Sequence, residues 1–188
     1  MLNLIKFSTL FLFFSLCTQL SAQIEKGSYS IMPEISISRT QNNSSDNTDS
    51  FVSFFLSPGI FVTNNLSLNI DFGFATQNSK STNISRRFSS ISVGPRLVLM
   101  KPISEKFYIP FFVGYNYTVN SNDRNALFFV PNFSNIFLGA GVEFLVAERL
   151  ALRFSLRNNF IFVEDSTDKL YQLNGFIGAN LYFARVAK

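Results

Sequence analysis

The most constraining feature of this sequence is a strict alternation of apolar with small or polar residues, in segments longer than ordinary strands. Residues 66–75 show it best, with leucine, isoleucine and phenylalanine at every second position and Ser67, Asn69, Asp71, Gly73 and Ala75 between them. Period-two alternation predicts a β-strand with one apolar face. The segments run to roughly 10–16 residues, against about 5–6 for a typical strand. The pattern predicts an all-β chain of eight strands, at 27–39, 51–62, 66–75, 86–101, 107–119, 133–146, 150–163 and 170–183.

The start of the chain has a different pattern. Lys6 precedes an apolar run over 7–17, and the small residue Ala22 follows shortly after. A basic start, a short apolar core and a small residue are the pattern of a cleaved secretory signal peptide. The run is too short for a membrane-spanning helix, which needs about 20 apolar residues. The sequence therefore predicts a signal peptide over 1–22 and one β-barrel domain over 23–188.

Composition excludes several classes of function. The chain of 188 residues has no histidine, so chemistry that needs imidazole is excluded. Its single cysteine excludes a disulfide framework or a thiolate metal cluster. The net charge of +4 includes no cluster of lysine and arginine like that of a nucleic-acid-binding surface. We therefore expect no enzyme, no cofactor, no metal site and no nucleic-acid partner.

Alternation alone leaves open whether the apolar face meets a core or lipid, because a soluble β-barrel alternates too. The polar face here is mostly serine, glycine, alanine and asparagine, whereas a solvated surface is rich in lysine and glutamate. Twelve tilted residues cover roughly 30 Å, enough for the roughly 25 Å apolar band of a membrane barrel. Short turns also alternate with longer polar loops, as in membrane barrels. The predicted turns are 63–65, 102–106 and 147–149, and the predicted loops are 40–50, 77–85, 120–132 and 164–169.

The inward face of such a barrel carries a balanced set of charges. An eight-stranded barrel has an interior just wide enough to be filled by side chains. Buried charges need partners, so we expect these residues to form a structural network and not a catalytic site. If the turn at 147–149 is centred on residue 148, Glu143 and Arg153 lie opposite each other. The predicted lumen charges are Glu34, Asp71 and Glu143 with Arg96, Arg153 and Arg157, and Asp71 is expected to approach Arg96.

The last strand supports a resemblance to a known family. Gly178 is followed at fixed spacing by Leu181 and Phe183, which resembles the C-terminal assembly signal of small outer-membrane β-barrels of the OmpA type. Phe176 stands where that signal usually has a polar residue. The resemblance implies an eight-stranded antiparallel up-and-down transmembrane β-barrel in the outer membrane of a diderm bacterium. It also implies the barrel-assembly machinery and outer-membrane lipid as partners.

The functional expectation is an integral outer-membrane barrel with a side-chain-plugged lumen and a structural or loop-mediated role. Enzymes on similar barrels use a histidine as general base, which this chain lacks. One alternative is a secreted soluble β-barrel that binds an apolar ligand, which would partition without detergent. Another is a narrow channel, which would conduct in planar bilayers. The sequence does not identify a loop partner.

Overall fold

The computed structural model describes residues 26–41, 48–81, 84–121, 132–164 and 169–183. Eight antiparallel strands form one closed barrel, in which each strand pairs with its sequence neighbours and β1 pairs with β8. This confirms the predicted eight-stranded up-and-down barrel. The predicted signal peptide at 1–22 lies outside the described residues and stays a prediction. The strands are β1 Tyr29–Gln41, β2 Thr48–Phe61, β3 Leu66–Ser81, β4 Ile84–Ser104, β5 Phe107–Ser121, β6 Phe133–Ala147, β7 Leu150–Val163 and β8 Lys169–Phe183.

The apolar face points outward in every strand. On β1, Ser36 is 4% exposed, whereas its neighbours Ile35 and Ile37 are 44% and 73% exposed. Large apolar side chains with similar exposure surround the barrel on all eight strands. The polar and charged positions point into the lumen. No helix in the described residues is long and apolar enough to cross a membrane.

The strands extend further than the hydrophobic pattern predicts. The predicted loop at 77–85 is wrong, because β3 and β4 stay paired up to Ser81 and Ile84. The predicted loop at 40–50 likewise shortens, since Gln41 pairs with Thr48. A ladder of backbone hydrogen bonds needs no apolar side chains, so polar residues can continue it. We call this end of the barrel, where the longer connections lie, the loop end.

At the opposite, turn end, β-bulges shorten two of the predicted turns. The predicted turn at 102–106 is wrong in extent, because β4 continues to Ser104 through a bulge. The turn predicted at 147–149 contains only two residues between Ala147 and Leu150, with a bulge after Leu145. A bulge inserts one unpaired residue. In the β6–β7 hairpin, this insertion leaves Glu143 opposite Arg153, the register that the sequence predicts.

Four prolines interrupt the ladders within the barrel wall. Because proline has no backbone N–H, it cannot donate to a neighbouring strand. Each interruption spans two residues, one of them a proline, and pairing resumes in the same register beyond it. The other side of each proline's strand remains paired, so the wall stays continuous. The prolines are Pro33, Pro58, Pro95 and Pro110.

The outward face predicts a specific sensitivity to charge. Val113 is 49% exposed and lies between Leu97 and Leu138 on neighbouring strands. We expect Val113→Arg to block assembly or to lower the free energy of unfolding by about 2–4 kcal/mol at mid-membrane depth. Urea unfolding in lipid vesicles measures this, with Val113→Leu as the matched apolar control. Equal stability of the arginine and leucine variants would contradict a lipid-facing position.

Candidate functional site in the barrel lumen

Arg96 lies at the centre of a buried charge cluster. Its Nη1 lies 2.7 Å from Glu34 Oε2, and its Nε lies 2.9 Å from Asp71 Oδ1. All three residues are at most 1% exposed. The three side chains come from strands β1, β3 and β4, and Arg96 is separated from Glu34 by 62 positions. The predicted approach of Asp71 and Arg96 is present, and Glu34 joins them across the lumen.

Arg157 contacts both carboxylates and a set of aromatic rings. Its Nη2 lies 3.4 Å from Glu34 Oε2 and 3.9 Å from Asp71 Oδ2. Its guanidinium carbon is 4.4–4.7 Å from three ring centroids, close enough for cation–π attraction. Two cations and two carboxylates thus form a neutral cluster. The rings belong to Phe55, Phe137 and Phe176, the last at the position where the assembly signal usually has a polar residue.

The second predicted pair lies nearer the turn end. Glu143 is directly opposite Arg153 in the β6–β7 ladder, as the turn geometry predicts. The pair is loose, with 3.8 Å between Arg153 Nε and Glu143 Oε2. Glu143 also accepts hydrogen bonds from the Tyr182 hydroxyl and, at 3.4 Å, from Asn180 Nδ2. Arg153 contacts the Met32 sulfur.

Sequence reasoning missed the neutral partners of this network. Ser57 Oγ donates to Asp71 Oδ1 at 2.7 Å, and Ser155 Oγ donates to Glu34 Oε1 at 3.3 Å. Both serines, like Asn180 and Tyr182, occupy inward positions of the alternation. The alternation of inward and outward positions was the sequence signal that could have found these partners. It does not identify which inward side chains contact one another. The contacts depend on how the strands are staggered around the closed barrel.

A buried apolar cluster lies in the lumen between the charges and the short turns. Its members are at most 7% exposed and come from β2 and from strands β4 to β8. Phe112 and Phe137 connect it to the charges, because the Phe112 ring centroid lies 5.6–5.8 Å from three arginine guanidiniums. The cluster consists of Phe61, Val98, Met100, Tyr108, Phe112, Phe137, Ala151 and Tyr182.

Toward the loop end the lumen widens into a cavity of about 700 Å³. We call this space the loop-end cavity. Arg157, Phe55 and Phe176 line it where it meets the charge cluster. Hydroxyl and amide side chains line the walls, and Ser53 Oγ, Asn116 Oδ1 and Asn135 Oδ1 have no hydrogen-bond partner within the described residues. The cavity can therefore offer both hydrogen bonds and apolar contacts.

No metal-binding arrangement accompanies these features. Among the described residues, no group of three or more His, Cys, Asp or Glu side chains could hold a metal ion. The buried charges are instead arranged as ion pairs.

The predicted assembly-signal residues occupy both faces of β8. Gly178 points inward opposite Glu34, and a Cβ at this position would overlap the Pro33 carbonyl oxygen. Only glycine lets β8 lie this close to β1 with the Glu34 side chain between them. Leu181 and Phe183 point outward near the turn end, with exposures of 38% and 43%. Their role as a signal stays a prediction.

The ion-pair geometry predicts how strongly pairs of substitutions are coupled. Removing one member of a buried pair leaves the other charge uncompensated, at a typical cost of about 3–5 kcal/mol. We expect strong non-additivity between Glu34→Gln and Arg96→Met, measured by urea unfolding in lipid vesicles. The looser Glu143→Gln and Arg153→Met pair should couple less. Additive effects in both double-mutant cycles would show that these charges do not stabilise each other.

Comparison with known proteins supports the same architecture. OprG from Pseudomonas aeruginosa has a TM-score of 0.57 at 10% identity, and the match covers 88% of this chain and 100% of that one. The N-terminal β-barrel domain of Pseudomonas aeruginosa OprF has a TM-score of 0.52 at 11% identity, covering 84% and 98%. The outer membrane protein AlkL, solved in DMPC bilayers, has a TM-score of 0.54 at 13% identity, covering 89% and 95%. These likenesses show the fold.

No curated protein matches the chain in sequence. The family described as "Outer membrane protein beta-barrel domain" matches residues 8–183, nearly the whole chain. Together with the closed eight-stranded wall and its apolar exterior, this match shows that the chain belongs to the outer membrane protein beta-barrel domain family.

Proposed function

We propose that this protein is an integral outer-membrane barrel whose lumen is closed by its own side chains, with a structural or loop-mediated role. The observation that carries the proposal is the burial of the central charges. The four central charged residues are at most 1% exposed, although their side chains lie in the barrel lumen. They are Glu34, Asp71, Arg96 and Arg157. Together with the apolar cluster nearer the short turns, these buried side chains support a closed turn-end half of the lumen, as expected for an eight-stranded barrel.

The exterior supports residence in lipid over the soluble alternative. An outer surface covered by half-exposed leucine, isoleucine, valine and phenylalanine would be far larger than the apolar patches that soluble monomers tolerate. In lipid the same surface is favourable, and the closed ladder satisfies the backbone polar groups. A folded barrel should partition with membranes and stay compact in detergent until boiled.

A non-enzymatic role is part of the proposal. General-base catalysis on a barrel needs a titratable group poised beside a nucleophile. Here the buried carboxylates are held in ion pairs by arginines, and the chain has no histidine. Contacts would instead be made by the loop-end connections, after export by the signal peptide and insertion by the barrel-assembly machinery. The partner of these connections is not identified.

The closed lumen predicts the electrical behaviour of the protein. In planar bilayers we expect rare openings or none from the purified barrel. Phe112→Ala removes a ring that contacts three arginines and the apolar cluster, so it should raise the frequency of openings. The control Phe111→Ala removes a lipid-facing ring and should leave the frequency of openings unchanged. Frequent stepwise openings of the unaltered protein would favour the narrow-channel alternative.

Three of the four loop-end connections, those after β1, β5 and β7, are longer than every turn-end connection, and this difference predicts the orientation. Membrane barrels of this kind place long loops outside the cell and short turns in the periplasm. A cysteine at Ser45, in a predicted loop outside the described residues, should react with an impermeant thiol reagent on intact cells. A cysteine at Asn64, in the turn between β2 and β3, should not react. Labelling of Asn64→Cys but not Ser45→Cys would reverse the orientation.

A further inference from the structure

The barrel wall has one seam that is paired along only part of its length. β1 and β8 pair from Tyr29↔Phe183 to Ile35↔Ile177, and no cross-strand pair joins them beyond that point in the described residues. Both strands continue toward the loop end, to Gln41 and from Lys169. On their other sides they stay paired with β2 and β7 along this stretch. We call this unpaired stretch the β1–β8 gap.

Side-chain exposure indicates that the β1–β8 gap is open. Among the described residues, three of the four most exposed large apolar side chains flank it: Ile37 at 73%, Tyr171 at 69% and Leu173 at 68%. Strands that pair shield the side chains of their neighbours. Half of the backbone groups of these two segments also face the gap, where lipid tails cannot accept or donate hydrogen bonds.

The gap adjoins the loop-end cavity. Tyr171, Gln172 and Asn174 of β8, along the gap, line that cavity. The cavity therefore borders the strand that forms one side of the gap. Its volume of about 700 Å³ is within the range of small-molecule sites.

The lining defines the chemistry of a suitable ligand. Arg157 adds no net charge, because Glu34 and Asp71 offset Arg96 and Arg157. The oxygens of Ser53 and Asn116 that lack a partner within the described residues belong to side chains that are 2% exposed, so they are available to hydrogen-bond a ligand group. Phenylalanine rings beside them offer apolar contact. The gap is closed at one end by the Ile35↔Ile177 pair, and such a partial opening favours one alkyl chain over two.

We propose that the loop-end cavity binds a single-chain amphiphile with a neutral, hydrogen-bonding head group, which enters sideways from the surrounding lipid through the β1–β8 gap. The head group reaches the hydroxyl and amide oxygens of the cavity. The alkyl chain extends from the aromatic lining through the gap into the surrounding lipid.

Fluorescence quenching tests the binding site, since the chain contains no tryptophan. Phe88→Trp places a single reporter on the cavity wall at β4, and Phe61→Trp places a control in the apolar cluster. The probe is monoacylglycerol brominated on its alkyl chain, mixed into phosphatidylcholine vesicles. We expect it to quench Phe88→Trp several-fold more than Phe61→Trp, whereas brominated phosphatidylcholine should not. Equal quenching of both reporters by the monoacylglycerol would overturn the site.

A cross-link tests the route. Ile37 and Gly175 would face each other if the β1–β8 register continued, so Ile37→Cys with Gly175→Cys can close the gap by a disulfide. Added to Phe88→Trp, the oxidised pair should abolish quenching by newly added monoacylglycerol, and reduction should restore it. Quenching that persists after oxidation would overturn sideways access.

If the disulfide does not form, amide hydrogen exchange in vesicles tests whether the β1–β8 gap is open. Amides of 36–41 should exchange faster than those of 158–162, which are paired on both sides at the same end of the barrel. Equal protection of the two segments would show a closed seam and would overturn the proposal.

Discussion

The neutral cluster of Arg96, Arg157, Glu34 and Asp71 is the constraint around which this barrel is arranged. Charges removed from water are tolerated only when paired, and here residues far apart in sequence supply the partners. Arginine suits this position because its planar guanidinium can contact two carboxylates and several aromatic faces at once. The cluster therefore ties opposite walls together, since β1, β3, β4 and β7 each contribute one side chain. Gly178 belongs to the same arrangement, because β8 must leave room for Glu34.

The outer face of the wall and the lumen place side chains in opposite environments, apolar outside and mostly polar inside. Outside, each strand presents apolar side chains to lipid and relies on the closed ladder to satisfy its backbone. Inside, serine, asparagine and tyrosine groups donate further hydrogen bonds to the buried carboxylates. The prolines are compatible with this wall because each interrupts one ladder for two residues while the opposite ladder continues.

The two halves of the lumen differ in character. Toward the short turns, phenylalanine, methionine and tyrosine pack densely beneath the charges. Toward the longer connections the same inward positions carry small polar residues, which leave the loop-end cavity. The ladder between β1 and β8 ends at the level where this change occurs. Membership of the family places the barrel in an outer membrane. The proposed roles depend on the buried charges, the loop-end cavity and the β1–β8 gap of this chain.

Local sequence determined the strands, their faces and the six inward charges, because a period of two is visible among near neighbours. It also determined that Glu143 faces Arg153, since a tight turn sets the register of its own hairpin. Tertiary structure alone decided that Arg96 meets Glu34 and that Phe176 packs on Arg157, because such contacts depend on stagger around the closed barrel. It also decided the paired extension of β3 and β4 and the early end of the β1–β8 ladder. Backbone pairing does not require the side-chain pattern from which strands are predicted, so these limits are set by how the whole sheet closes.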